Sequence, residues 1–357
     1  MNGLVFQVGL FLGSLVLMAL SSFVLTVALE RIGAQLHLAE GLLGILTALG
    51  ADAPEISSSI TALSAGHHEL GVGVVLGSNI FNLAALLGLS ALVAGVVRVG
   101  TAGALLNGVV TLVATLVAGG LLLGWLAPWL ALVLMALLFA PYLFVIALYS
   151  ARIERLSLPK FARTFLVRAT TNVREECPRT GLEEIHVRHA TLIDWLLLVP
   201  VIFAIVAGSQ GIVHATLNLS ARFGITHAIA GALGIAALTG IPNAIAAIRL
   251  ATRQRGAAVV TECFNSNNVN LVCGICLPAL LVGLGATSAH TYLSLGWLFA
   301  MSAAAVALLC WRGGLRRTGG SALVTLYLLF AGVIVLWPLV ARSCPKSLFR
   351  NYKYAYR

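Results

Sequence analysis

Long stretches with little or no charge constrain this chain more than any other feature. They lie near residues 4–29, 40–65, 71–95, 100–125, 128–149, 192–217, 225–252, 256–285, 290–311 and 321–341. The first, LVFQVGLFLGSLVLMALSSFVLTVAL, contains no ionisable side chain. About 20 apolar residues in a helix match the hydrocarbon thickness of a bilayer. Barrel strands are shorter and alternate in polarity, so the runs predict helices. Across the chain 10% of residues are charged and 60% are hydrophobic, against roughly 25% charged in a soluble domain. A soluble catalytic or nucleic-acid-binding domain is thereby excluded, even at a net charge of +10. The N-terminus has no basic region before its apolar run, which is too long for a cleaved leader, so a retained first helix is expected.

The fold class expected is all-α integral membrane, with ten transmembrane helices. One long polar segment, 150–191, interrupts the spans and leaves five on each side. The domains expected are a first five-helix unit (1–149), a cytoplasmic linker (150–191), a second five-helix unit (192–341) and a tail (342–357). If the N-terminus is outside, the inner loops hold Arg31, Arg98, the basic residues of 150–191, Arg249, Arg253, Arg255, Arg312, Arg316 and Arg317. The outer side then holds Arg222 and the basic tail, RSCPKSLFRNYKYAYR, which dissents. The inner excess predicts both termini outside, in a plasma (inner) membrane. Within the linker, SLPKFARTFLVRAT reads as an amphipathic helix resting on anionic lipid.

Two five-span units must insert with opposite orientations, the topology of an inverted repeat. The sequence carries its trace. At an offset of 188, APEISSSI (53–60) falls on IPNAIAAI (241–248), and GSNIFN (77–82) falls on NSNNVN (265–270) without a gap. Pro54 then matches Pro242, while Ser78, Asn79 and Asn82 match Ser266, Asn267 and Asn270.

Asp52, Glu55 and Glu262 are the acids that lie well inside spans. A charge at the bilayer centre costs at least ~2.5 kcal/mol, so such groups persist against water, a cation or a polar partner on a neighbouring helix. Pro54 and Pro242 each remove a backbone N–H and should break the second and seventh helices. The carbonyls freed around Gly50–Ala53 and Thr239–Ile241 are expected to serve as oxygen ligands. Ser78 and Asn82 share one helix face, as do Ser266 and Asn270, and Glu262 extends the second row by one turn. Asn79 and Asn267 point elsewhere and read as caps or as backbone cross-links. The candidate cation-binding residues are Glu55, Asp52, Ser78, Asn82, Asn243, Thr239, Ser266, Asn270 and Glu262, with Glu55 and Asp52 as the metal-binding carboxylates. Oxygen donors of these kinds suit Na⁺ and Ca²⁺, and no Lys or Arg accompanies them.

The motifs G-A-D-A-P-E (50–55) and G-S-N-I-F-N (77–82) resemble those of the cation/calcium exchanger superfamily, the sodium/calcium exchanger membrane region. The resemblance covers roughly 40–95 and 225–285. It implies two inverted five-helix repeats, cation/Ca²⁺ antiport, and Glu55 as the central ligand. This sequence departs from the pattern in three places. Asn243 stands where the family places a second acid, Asp52 and Gly240 stand where it places Ser, and N-S-N replaces the second G-S-N. Asp52 or Glu262 therefore either restores the missing carboxylate, or the site serves a different cation.

The function expected is secondary antiport of Ca²⁺ against Na⁺ or H⁺ by alternating access, with spans one and six sliding against the rest. The alternatives are monovalent cation/H⁺ antiport, a transport-inactive cation-binding protein, and a channel. The partners are small cations and the bilayer, with no nucleic acid; a monomer suffices, and no cofactor is permanently bound. Nothing resembles a phosphate-binding loop or a catalytic triad, so the chain does not read as an enzyme. His67, His68 and Glu69 share an outer turn, as a solvated loop or a pH- or Zn²⁺-sensitive one. Cys273 and Cys276 form a CxxC inside an apolar helix, where packing is the simpler explanation. The other cysteines, Cys177, Cys263, Cys310 and Cys344, suggest no disulfide framework.

Overall fold

The computed structural model describes residues 2–36, 38, 40–147, 159–175, 190–285, 287–311 and 313–343. Its long apolar runs are helical, as their length and composition require. They are α1 (Asn2–Gln35), α4 (His68–Asn82) continued through a π-helical turn into α5 (Ser90–Ala94), α6 (Thr101–Leu122) and α7 (Pro128–Ala147). In the second half they are α9 (Leu192–Phe223), α13 (Gly256–Leu271) continued into α14 (Leu277–Val282), α15 (Ala289–Trp311) and α16 (Arg317–Ser343). Between α7 and α9 lies the amphipathic α8 (Lys160–Glu175), where the sequence predicts it. The remainder of the linker lies largely outside the described residues, as do Cys177, Arg312 and the tail from 344 on.

Among the described residues, eight helical runs are long and apolar enough to cross a bilayer. A ninth is a bent pair, with 46° between its halves: His227–Thr239, made of α10 (His227–Ile229) and α11 (Ala236–Thr239) joined by a π-helical turn, followed by Ile241–Thr252. The span expected at 40–65 is divided into α2 (Glu40–Ala51) and α3 (Ala53–Ser64), parted at Asp52. The molecule is thus a helical integral membrane protein with eight or nine such spans among the described residues, the divided 40–65 region not being counted among them.

Both prolines sit in the first turn of the helix that resumes after the break. Pro54 lies there in α3, and Pro242 lies there in α12 (Ile241–Thr252). This is the position where a missing N–H costs least, because that N–H has no intrahelical acceptor. The two breaks, at Asp52 and Gly240, keep the 188-residue register. So do the ends of the following helices, Ser64 and Thr252, and the starts of α4 and α13, His68 and Gly256.

The helices differ in their surroundings. In its most apolar stretch the run His68–Ala94 is 94% buried, whereas α1 and α9 are each 28% buried. The first is therefore a core element. The other two form a peripheral pair, packed on each other along their lengths and joined by an ion pair between Arg31 and Asp194 at 2.9 Å. The core run passes close to the helical segment 227–239, shown by Gly77, where a Cβ would meet the Ala232 backbone. Small residues permit such close approach between membrane helices.

One feature lies beyond the sequence expectation. A two-strand antiparallel pair, β1 (Val96–Arg98) with β2 (Gly314–Arg316), joins the loop before α6 to the loop before α16, with Val97 opposite Leu315. The basic residues of both loops predict the same side of the membrane, and the two loops meet in this pair.

Candidate functional site

The break at Asp52 places one carboxylate between α2 and α3 and a second, Glu55, in the first turn of α3. Both are 1% exposed, so neither reaches solvent. Asn243, which occupies the register position of Glu55, donates from Nδ2 to Asp52 Oδ1 at 2.9 Å. The repeat partner of the main acid thus binds the extra acid. Ser266 stands beside Asp52, and Thr239 stands beside Glu55. Thr239 also donates to the Ile235 carbonyl at 2.9 Å, within its own helix. Asp52, Glu55, Asn243, Ser266 and Thr239 are therefore gathered at the two breaks. Glu262 is half-buried, one turn before Ser266, and feels the Asp52 charge. Among the described residues, no three His, Cys, Asp or Glu side chains form a group able to hold a metal ion. Glu262 does not join Asp52 and Glu55 in one.

Helices α4 and α13 form the second wall, cross-linked by amides. Asn79 Nδ2 donates to the Asn267 carbonyl at 3.0 Å, and Asn267 Nδ2 donates to the Asn79 carbonyl at 3.1 Å. Asn82 donates to Asn267 Oδ1 at 3.1 Å, and Asn270 donates to Asn79 Oδ1 at 3.2 Å. Each pair of bonds exchanges its members under the 188-residue shift. The cross-linking expected for Asn79 and Asn267 is thus observed, and Asn82 and Asn270 share in it.

The symmetry fails at one bond. Asn82 also donates to Ser266 Oγ at 2.9 Å, whereas the matching hydroxyl, Ser78 Oγ, is buried without a hydrogen-bond partner. Asp52 Oδ2, Glu55 Oε2 and Asn270 Oδ1 are likewise buried and unpartnered. A buried polar atom left unpaired costs about 1–3 kcal/mol, and more if charged. No Lys or Arg occurs in 40–66, 69–97 or 256–285.

The Gly50 and Ala51 carbonyls, expected as ion ligands, accept from Ser22 Oγ on α1 at 2.8 and 3.1 Å. A side chain from the peripheral pair thus partners the freed carbonyls, because α1 crosses α2 at the break. A second buried polar group lies outside the expected site: Tyr142 Oη lies 2.7 Å from both Asn107 Oδ1 and Asn265 Oδ1. It ties α6 and α7 to α13, next to Ser266. Its one signal in the sequence is a tyrosine and an asparagine inside apolar runs. At the opposite end, the His67 and His227 rings meet edge-to-face at 5.5 Å.

Comparisons with known proteins bear on this arrangement. Mouse sodium/potassium/calcium exchanger 4 (Mus musculus) is 36% identical over 69 residues, which is 19% of this chain and 11% of that exchanger's length. The human protein of that name (Homo sapiens) matches to the same extent. The crystal structure of the H⁺/Ca²⁺ exchanger CAX superposes with a TM-score of 0.65 at 17% identity, covering 94% of this chain and 87% of that one. The sodium-calcium exchanger NCX_Mj superposes with a TM-score of 0.56 at 19% identity, covering 91% and 98%. At such identities the likeness shows a shared fold. The family model described as sodium/calcium exchanger protein matches residues 6–148 and 193–336. With both halves matched and the two polar motifs facing each other in the core, the chain belongs to the sodium/calcium exchanger protein family.

Proposed function

We propose that this protein is a secondary active antiporter that exchanges Ca²⁺ for Na⁺ or H⁺ by alternating access, with Glu55 and Asp52 as the charged ligands. The observation that carries the reading is the buried carboxylate pair, which has no basic partner among the described residues. Taking an ion out of water costs several kcal/mol after relaxation. The bond from Asn243 to Asp52 returns about 1.5–3 kcal/mol. The remainder is supplied by a cation or a proton, and competition between the two for one set of oxygens is what exchange requires. Ser78, Asn82, Thr239, Asn243, Ser266 and Asn270 complete the neutral oxygen shell, and Glu262 serves the approach to it. Pro54 and Pro242 keep the breaks open.

In this reading the chain is two inverted five-helix repeats, 1–149 and 192–341, with the divided 40–65 region as the tenth span. The recurrence of helix bounds and amide bonds at one offset supports it. Both termini lie outside a plasma membrane, on the distribution of arginines. One protomer holds a whole site, so a monomer suffices. The transported ions are its only cofactors.

The test is uptake of ⁴⁵Ca into proteoliposomes. Uptake should rise with an outward Na⁺ or H⁺ gradient. Uptake that ignores both gradients would sink antiport of Ca²⁺ and leave a channel or a binding protein. A second reading, monovalent cation/H⁺ antiport, is favoured by one observation: among the described residues no third acid joins the pair, whereas Ca²⁺ takes 6–8 oxygens and favours carboxylates. The same assay with a panel of cations separates the two.

A further inference from the structure

Away from the acids, helix α8 lies against the first turns of α6, with Ala169 buried where its carbonyl comes 3.3 Å from the position of a Cβ on Gly103. Between them runs a groove of about 720 Å³, lined by Thr101, Leu105, Lys160, Phe161, Thr164 and Arg168 among others. It is two-natured. The end formed by α8 offers two cations and a hydroxyl, and none of its described lining residues is acidic. The side formed by α6 is apolar and continues along that helix through Leu105, Val109, Val113 and Leu116, all exposed on the outer surface of a membrane span. Phe161 is 85% exposed at the mouth.

A free anion would use only the basic end. A peptide would leave the stripe on α6 to the bilayer. A ligand with a phosphate head and two acyl chains fits both parts at once: the head between Lys160 and Arg168 with the threonine hydroxyls, the chains along Leu105–Leu116. The geometry points to a binding site for one anionic glycerophospholipid between α8 and α6, which clamps the amphipathic helix to the membrane core. This site is independent of the ion site and stands whether or not the protein exchanges Ca²⁺.

Each basic side chain at an anionic membrane surface contributes ~1 kcal/mol, which is about fivefold in affinity. The full-length protein is to be placed in nanodiscs of equal parts phosphatidylglycerol and phosphatidylcholine. It is then released into detergent, and its retained lipids are counted by native mass spectrometry. Wild type should retain phosphatidylglycerol preferentially. The double variant Lys160→Gln, Arg168→Gln should lose about 25-fold of that preference. The charge-conserving pair Lys160→Arg, Arg168→Lys should keep it. All of these side chains are exposed, so thermal stability in phosphatidylcholine alone should not change. No preference in wild type, or an undiminished preference in the Gln variant, overturns the site.

Discussion

Asp52 and Asn243 share a bond whose two members come from opposite halves of the chain, and this pair sets what each nearby substitution should do. Replacing Glu55 with Gln removes a negative charge from the pair without changing its size. Cation-driven ⁴⁵Ca uptake should then fall to background in proteoliposomes, and retained full activity would remove Glu55 from the site. Asn243→Ala deletes the donor to Asp52 Oδ1 and leaves that oxygen buried and unpaired. The expected cost is about 1–3 kcal/mol, read as a lower melting temperature in detergent. Added Ca²⁺ should restore part of it if Asp52 binds the ion, because ligands that bind only the folded state stabilise it. No Ca²⁺-dependent recovery would count against Asp52 as a ligand. The two acids are legible in the sequence because ionisable groups are rare in apolar runs, and Asn243 because it falls on Glu55 at the 188-residue offset. Ser22 was not: one serine in a membrane helix is unremarkable, and its acceptors, Gly50 and Ala51, are selected by the crossing of α1 over α2.

At the scale of elements, the close passage of α4 along 227–239 depends on hydrogen atoms where side chains would stand. Gly77 faces the Ala232 backbone, which cannot rotate away as a side chain would. Gly77→Ala should therefore force the two elements apart and cost about 1–3 kcal/mol, the usual range for overpacking. The measurement is thermal unfolding of the purified variant, with Gly44→Ala in α2, where a Cβ meets nothing within 4 Å, as the control. Equal melting temperatures for the two variants would show that the approach relaxes at no cost. The breaks on either side were readable beforehand, since proline acts on its own turn. The strand pairing of Val96–Arg98 with Gly314–Arg316 was not, because three-residue strands carry no periodic signal and find each other only after the helices pack.

For the whole molecule, the contrast between the buried core run and the peripheral pair α1 and α9 suggests which bodies move. Gly211 of α9 packs against Ser14 of α1, within the pair. Ser209 of α9 lies 3.0 Å from Ser57 of α3, hydroxyl to hydroxyl, across its boundary with the site helices. If the pair slides as one body, a disulfide across Ser57→Cys and Ser209→Cys should stop exchange until reduced. One across Ser14→Cys and Gly211→Cys should leave it running. Flux measured before and after reductant decides the matter, and equal inhibition by both bridges would argue against a rigid pair.

The sequence by itself determined that the chain lives in a membrane, where its long apolar helices lie, where two proline breaks fall, and which acids are out of place. Hydropathy, proline and a stray charge act on consecutive residues, so they can be read without a fold. The tertiary structure decided which oxygens are already taken and which remain. Ser266 is held by Asn82 while its repeat partner Ser78 is free, Asn243 turns to Asp52, and Glu262 stands apart from the pair. Those choices are made between helices far apart in the chain, where a shift of one turn in packing exchanges every hydrogen-bond partner, and no local pattern records them.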